Sequence, residues 1–152
     1  MEAEDIYLVP TFSPYEEAVH YDPVKIKEKQ PEFRRKLEYY KDMLQAGREV
    51  ICHSKIRMGY GTDFVANHQN YESGYEYEAW MKSGMSPFAA LTAATKTNAQ
   101  ILQLEDRIGT ITPGKYADIS AWKRDLMTDP KALLDCAFVM KGGVVYETEA
   151  CE

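Results

Sequence analysis

Short apolar runs and helical stripes alternate along this chain. Ile6-Tyr7-Leu8-Val9 is an apolar run closed by Pro10. It predicts a buried strand, because proline cannot donate to a ladder and ends the run. Thr11 to Pro14 then reads as polar loop, and Asp22-Pro23 as the start of a short helix, with Asp as cap and Pro in the first turn. From Pro31 to Ala46, Phe33, Leu37, Tyr40 and Leu44 recur at helical spacing on one face, which predicts a packed helix. Gly47 is expected just past its end, where a left-handed backbone suits glycine. Lys55 to Tyr60 predicts a second strand, with Ile56, Met58 and Tyr60 on one face and Lys55, Arg57 and Gly59 on the other.

Further on, Ser73 to Ser83 predicts a helix closed by Gly84, and Ser86-Pro87 opens another. Phe88, Leu91, Thr95, Ala99 and Leu102 are its expected packing face. Beyond Gln103 the period changes. Gly109 to Lys115 reads as a strand entering a Pro113-Gly114 turn, and Tyr116 to Trp122 as its return. Ala137 to Met140, Gly142-Gly143 and Val144 to Tyr146 form a second hairpin. The order is strand, helix, strand, helix, helix, then two hairpins. The first part implies parallel strands joined by helical crossovers, and the last third an all-β element. Two units follow: residues 1–103 and 104–152.

The net charge is −6, with acids and bases interspersed. That argues against a nucleic-acid partner, which needs a basic face, and equally against an anionic membrane surface. Cys52, Cys136 and Cys151 are odd in number and make no CxxC pair, so they read as reduced thiols of a reducing compartment. No apolar run nears the ~20 residues of a membrane span. MEAEDIYLVP lacks the basic-then-apolar order of a signal peptide. A cytoplasmic location is the expectation.

Candidate chemistry centres on Gly59-Tyr-Gly-Thr-Asp-Phe64, where a strand runs into a single acid. Alone, this hexapeptide is a turn: Gly tolerates unusual backbone angles and Asp bonds its own backbone. Glu76 and Glu78 are two apart on a helix and do not face each other. A solvated helix face and a structural or substrate-loop role are equally open for them. Of the histidines, His20 and His53 read as surface residues, while His68 stands between solvent loop and substrate-facing loop. The paired glycines lack phosphate-loop spacing.

Taken in order, these segments resemble the C-terminal half of the amidohydrolase superfamily, in particular its imidazolonepropionase-like and Xaa-Pro dipeptidase-like branch. Val9-Pro10-Thr11 is similar to the end of the seventh barrel strand and Gly61-Thr62-Asp63 to the end of the eighth. His68-Gln69-Asn70 resembles a loop that often reads His-Gly-x-Asn. Glu76 and Glu78 precede Gly84-Met85-Ser86-Pro87, and Ala89-Ala90-Leu91 through Asn98-Ala99 match the following helix. Gly109-Thr-Ile, Gly114-Lys115-x-Ala117-Asp118, Asp129-Pro130 and Val139 to Gly143 resemble strands and turns of the family's small β-sandwich.

The resemblance implies an α/β fold: the C-terminal portion of a TIM-type (β/α)8 barrel, strands seven and eight with their helices, plus β-strands of a small sandwich. It implies a hydrolase acting on carbon–nitrogen bonds of small molecules: dipeptides, N-acyl amino acids or cyclic amides. Asp63 becomes the catalytic acid–base and a metal ligand, and His68 a substrate-binding residue. The family's His-x-His pair and its further metal-binding histidines have no counterpart here. The chain is therefore expected to be part of a larger enzyme that carries a divalent metal, zinc first. By itself it is expected to bind no metal and hydrolyse nothing. Expected partners are a small-molecule substrate in that enzyme, the remaining N-terminal barrel part, and further copies of the chain through exposed strand edges. The other reading is a non-catalytic, amidohydrolase-like interaction module.

Overall fold

A computed structural model describes residues 4, 6–19, 31–63 and 74–146. Strand β1 (Tyr7–Leu8) is followed by helix α1 (Phe12–Val19), a long helix α2 (Pro31–His53) and strand β2 (Arg57–Met58). The strands pair in parallel, Tyr7 with Arg57 and Leu8 with Met58. The ladder is carried one step further by Gly59 N–H donating to Leu8 O at 2.9 Å. This is the expected parallel arrangement, in shorter strands.

Three expectations for this first part are corrected. Residues 12–14 are not loop but the first turn of α1, because a distant carboxylate caps that turn (below). Helix α2 does not stop at Ala46. Gly47 lies inside it, and the helix continues to His53. A glycine within a helix costs about 1 kcal/mol. Packing offsets this: Leu44, Arg48, Ile51 and Cys52 share the inward face, and Ile51 and Cys52 lie against the main core. Tyr40, expected in the packed stripe, is exposed. Phe33 and Leu37 have side chains outside the description, as does the helix expected from Asp22.

Helix α3 (Tyr75–Lys82) ends before Gly84, whose φ of 89° suits a residue without Cβ. Helix α4 (Pro87–Thr92) starts as expected, with Ser86 Oγ accepting from Ala89 N–H at 3.1 Å. It runs through a π turn (Ala93–Thr97) into α5 (Asn98–Ile101). A π turn inserts an extra residue and shifts the face that follows. The expected packing face holds only in part: Ala99 is buried and Leu91 packs against the core, but Phe88, Thr95 and Leu102 are exposed, while Ala90 and Ala93 are buried instead. The core gathers Phe12, Tyr77, Ala79, Trp80, Ala90 and Ala93. Phe12 meets Trp80 edge-on at 5.6 Å.

The last part is a three-stranded antiparallel sheet, β3 (Ile119–Trp122), β4 (Cys136–Lys141) and β5 (Val144–Tyr146), in sequence order. Gly142 and Gly143 both have positive φ, as a two-residue hairpin turn requires. Residues 109–112, expected as a strand, join no ladder, while the Pro113-Gly114 turn forms as expected, with Gly114 at φ 92°. Lys115 Nζ donates to the carbonyls of Glu105 and Ile108. Asp118 accepts from Lys141 Nζ at 2.6 Å and Gly142 N–H at 2.7 Å. The Gly-Lys-x-Ala-Asp segment thus ties its own turn and the hairpin turn together.

Candidate functional site

Parallel pairing sends both strands out on the same side, and in α/β folds chemistry sits at the carboxyl ends of the strands. The two exits share an unusual feature. Thr11, after β1, has φ 48° and Asp63, after β2, has φ 46°. Left-handed backbone is uphill for both residue types and persists only where the surroundings hold it.

At the first exit the holder is Glu76. Its Oε1 accepts Phe12 N–H at 2.9 Å and Trp80 Nε1–H at 2.8 Å, and its Oε2 accepts Ser13 N–H at 2.7 Å. Glu76 is 1% exposed. Phe12 and Ser13 open α1, so the carboxylate satisfies free N–H groups at the positive end of that helix. Burial pushes the Glu76 carboxyl above the usual carboxylate range, and the donors from Ser13, Phe12 and Trp80 hold it partly back. Four residues into α1, Glu16 is also buried and pairs with Arg48 of α2.

On the way to the second exit, Asn98 pairs with the backbone of Tyr60. Tyr60 N–H donates to its Oδ1 at 2.9 Å, and its Nδ2–H donates to Tyr60 O at 2.8 Å. The Tyr60 ring lies 5.7 Å from that of Trp80. Burial pushes the Tyr60 phenol far above its ordinary value, and the negative Glu76 adds to this. Gly59 and Gly61 were expected to let the chain turn. Their positive-φ role falls to Asp63 instead, and the glycines serve close approach. A Cβ on Gly59 would lie 2.4 Å from Ile101 Cδ1, and one on Gly61 2.9 Å from Val9 Cγ1.

Asp63 is exposed at the strand exit. His68, the expected substrate-binding residue, lies outside the described residues, as does His20. His53 ends α2, with its Nδ1 2.7 Å from Glu49 O. Among the described residues, no group of three or more His, Cys, Asp and Glu stands close enough to hold a metal ion. A catalytic zinc takes about three protein ligands, and Asp63 is a single exposed carboxylate. Glu76 is committed to its N–H donors and Glu16 to Arg48. The described residues by themselves do not fit a metal centre.

Sequence reasoning left Glu76 undecided and counted Asn98 only as part of a motif. A signal for Glu76 was present. It sits four residues before Trp80, so the acid shares a helix face with the largest apolar side chain of α3, and a carboxylate on such a face must find donors. Nothing local marks Asn98, whose partner is 38 positions away.

Residues 15–148 match the model of the amidohydrolase family. Over 70 residues the chain is 39% identical to an imidazolonepropionase of Pyrobaculum arsenaticum, covering 45% of this chain and 17% of that protein. Over 84 residues it is 30% identical to adenine deaminase 1 of Desulfotalea psychrophila, covering 53% of this chain and 14% of that one. A solved Xaa-Pro dipeptidase with methionine bound in its active site superposes with a TM-score of 0.75 at 29% identity, over 93% of this chain and 34% of the dipeptidase. The chain thus spans less than a fifth of these curated relatives and about a third of the solved one. Among the described residues, no helix is long and apolar enough to cross a membrane.

Proposed function

The chain belongs to the amidohydrolase family, and on that premise we propose that it is the C-terminal part of a hydrolase acting on carbon–nitrogen bonds of small molecules. In this reading β1 and β2 are the seventh and eighth strands of a (β/α)8 barrel. The observation that supports it is the parallel register of Tyr7 with Arg57 and Leu8 with Met58, with Asp63 following on the carboxyl side of the second strand.

Asp63 is the proton-transfer group of the proposed reaction. Water attacks the carbonyl carbon of the substrate while the Asp63 carboxylate takes its proton. That proton passes to the leaving nitrogen as the carbon–nitrogen bond breaks, giving an acid and an amine and restoring the carboxylate. Family members generally use a divalent metal. In our reading it is zinc, held by ligands beyond the described residues. Dipeptides are the first substrate class, supported by the similarity to a Xaa-Pro dipeptidase; N-acyl amino acids and cyclic amides are the others. His68 is the substrate-binding residue of this reading. The remaining barrel strands cover the outer edges of β1 and β2, and copies of the isolated chain associate through those edges.

The test is Asp63→Asn in the complete enzyme that contains this segment, assayed on a panel of dipeptides, N-acyl amino acids and cyclic amides. Asn accepts a left-handed backbone as well as Asp does, so the fold is expected to stand while turnover drops at least ~100-fold. Turnover unchanged in the Asn variant removes Asp63 from the reaction. For the isolated 152-residue chain, we expect no turnover on this panel and no stoichiometric metal by elemental analysis.

A further inference from the structure

The geometry points to Asn98 as the positioning residue for Asp63: its side-chain amide takes the place of a neighbouring strand at Tyr60 and so holds the segment that ends at Asp63. The inference rests on the reading of Asp63 as the proton-transfer carboxylate.

The β1–β2 ladder reaches Gly59, whose N–H donates to Leu8 O at 2.9 Å. At the next residue both backbone groups turn to one side chain. Tyr60 N–H meets Asn98 Oδ1 at 2.9 Å, and Tyr60 O meets Asn98 Nδ2 at 2.8 Å. A carboxamide carries the same donor and acceptor as a peptide unit. Asn98 therefore completes the pairing that a strand would supply.

Two features of the chain make this contact possible. Gly59 leaves room, since a Cβ there would stand 2.8 Å from Asn98 Oδ1. The π turn Ala93–Thr97 ends directly before Asn98. Its extra residue rotates the following helix by about 100° relative to an unbroken one. In a regular helix the residue at this position would face elsewhere.

The consequence reaches Asp63 through the backbone. Its φ of 46° is uphill for an aspartate. Such a conformation persists when the chain entering it is fixed, and Tyr60 is fixed on both of its polar groups. Glu76 acts on the other strand exit, at Phe12 and Ser13.

NMR on the 152-residue chain tests this. In the unmodified chain, a scalar coupling across the hydrogen bond should link Tyr60 N to Asn98 Cγ. Its absence overturns the proposal, whatever any variant does. Asn98→Leu keeps the branching at Cγ and loses both bonds. Amide protection at Tyr60 should fall about tenfold or more, and Asp63 should lose its positive-φ coupling and shifts, while Gly59 and β4 stay protected. Asn98→Asp supplies the discriminating arm. Protonated, its carboxyl donates and accepts as the amide does; ionised, it turns an acceptor toward Tyr60 O. Protection at Tyr60 and the left-handed signature at Asp63 should therefore return on acidification and vanish above the carboxyl's pKa. A residue that merely fills space gives no such return. A Leu variant that keeps both signatures, or an Asp variant indifferent to pH, overturns the proposal. If Asp63→Asn leaves hydrolysis unchanged, the functional reading falls while these spectra stand.

Discussion

Glu76 accepts the backbone N–H of Ser13 at 2.7 Å, although 63 positions separate the two residues. The contact joins the helix after β2 to the first turn after β1, and the same carboxylate also holds Phe12 and Trp80. Removing it strands buried donors, each costing about 1–3 kcal/mol. Glu76→Ala should therefore lower the unfolding free energy by about 3–5 kcal/mol, read from urea unfolding followed by Trp fluorescence. A loss below about 1 kcal/mol would mean that water replaces the carboxylate.

Glu76 also sets a pH dependence. Burial raises its folded pKa above its ordinary value. The folded state then binds the proton more tightly than the unfolded state does. The contribution from this group is complete below the unfolded pKa of about 4.3 and is lost as pH rises through the folded value. The difference in unfolding free energy between this chain and Glu76→Gln should therefore shift in favour of the variant as pH climbs out of the carboxylate range. Paired denaturation curves at several pH values measure it, and a difference that is flat or of opposite slope refutes it.

Two glycines should respond to alanine with opposite signs. A Cβ on Gly59 would meet Ile101 Cδ1 at 2.4 Å and Val9 Cγ2 at 3.2 Å, while one on Gly47 would meet nothing within 4 Å. Gly59→Ala should destabilise by about 1–3 kcal/mol through overpacking. Gly47→Ala, inside α2, should stabilise by about 0.5–1 kcal/mol. Thermal unfolding of both variants decides the signs.

The small sheet has an acid-sensitive latch. The Lys141 ammonium, together with Gly142 N–H, holds the Asp118 carboxyl below the usual carboxylate range. Its contribution is present above the unfolded pKa of about 3.9 and is lost as pH falls through the lower folded value. Amide protection at Gly143, which donates to Ala117 O at 3.1 Å, should decline on acidification over that window. In Asp118→Asn the decline should disappear. An unchanged acid response in that variant would place the sensitivity elsewhere.

The sequence by itself determined the elements whose signals are local. Ser86 caps its helix because its hydroxyl reaches Ala89 N–H. Gly84 ends α3 and Gly142-Gly143 turns the hairpin, because positive φ at these points favours glycine. The order of strands and helices implied the parallel pairing that is observed, and the motif order resembled the family that residues 15–148 match. Tertiary structure alone decided the rest. Helix α1 begins at Phe12 because a carboxylate from α3 caps it. Helix α2 passes through Gly47 because its inward face continues to Cys52. Residues 109–112 join no ladder, and Lys115 reaches back from the turn after them to the carbonyls of Glu105 and Ile108. The candidate site divides the same way. Asp63 was legible as an acid at a strand end, but its left-handed backbone and the Asn98 amide at Tyr60 were not. Hydrogen bonds spanning tens of residues leave no period in the sequence, since each depends on where the whole fold brings two distant groups together.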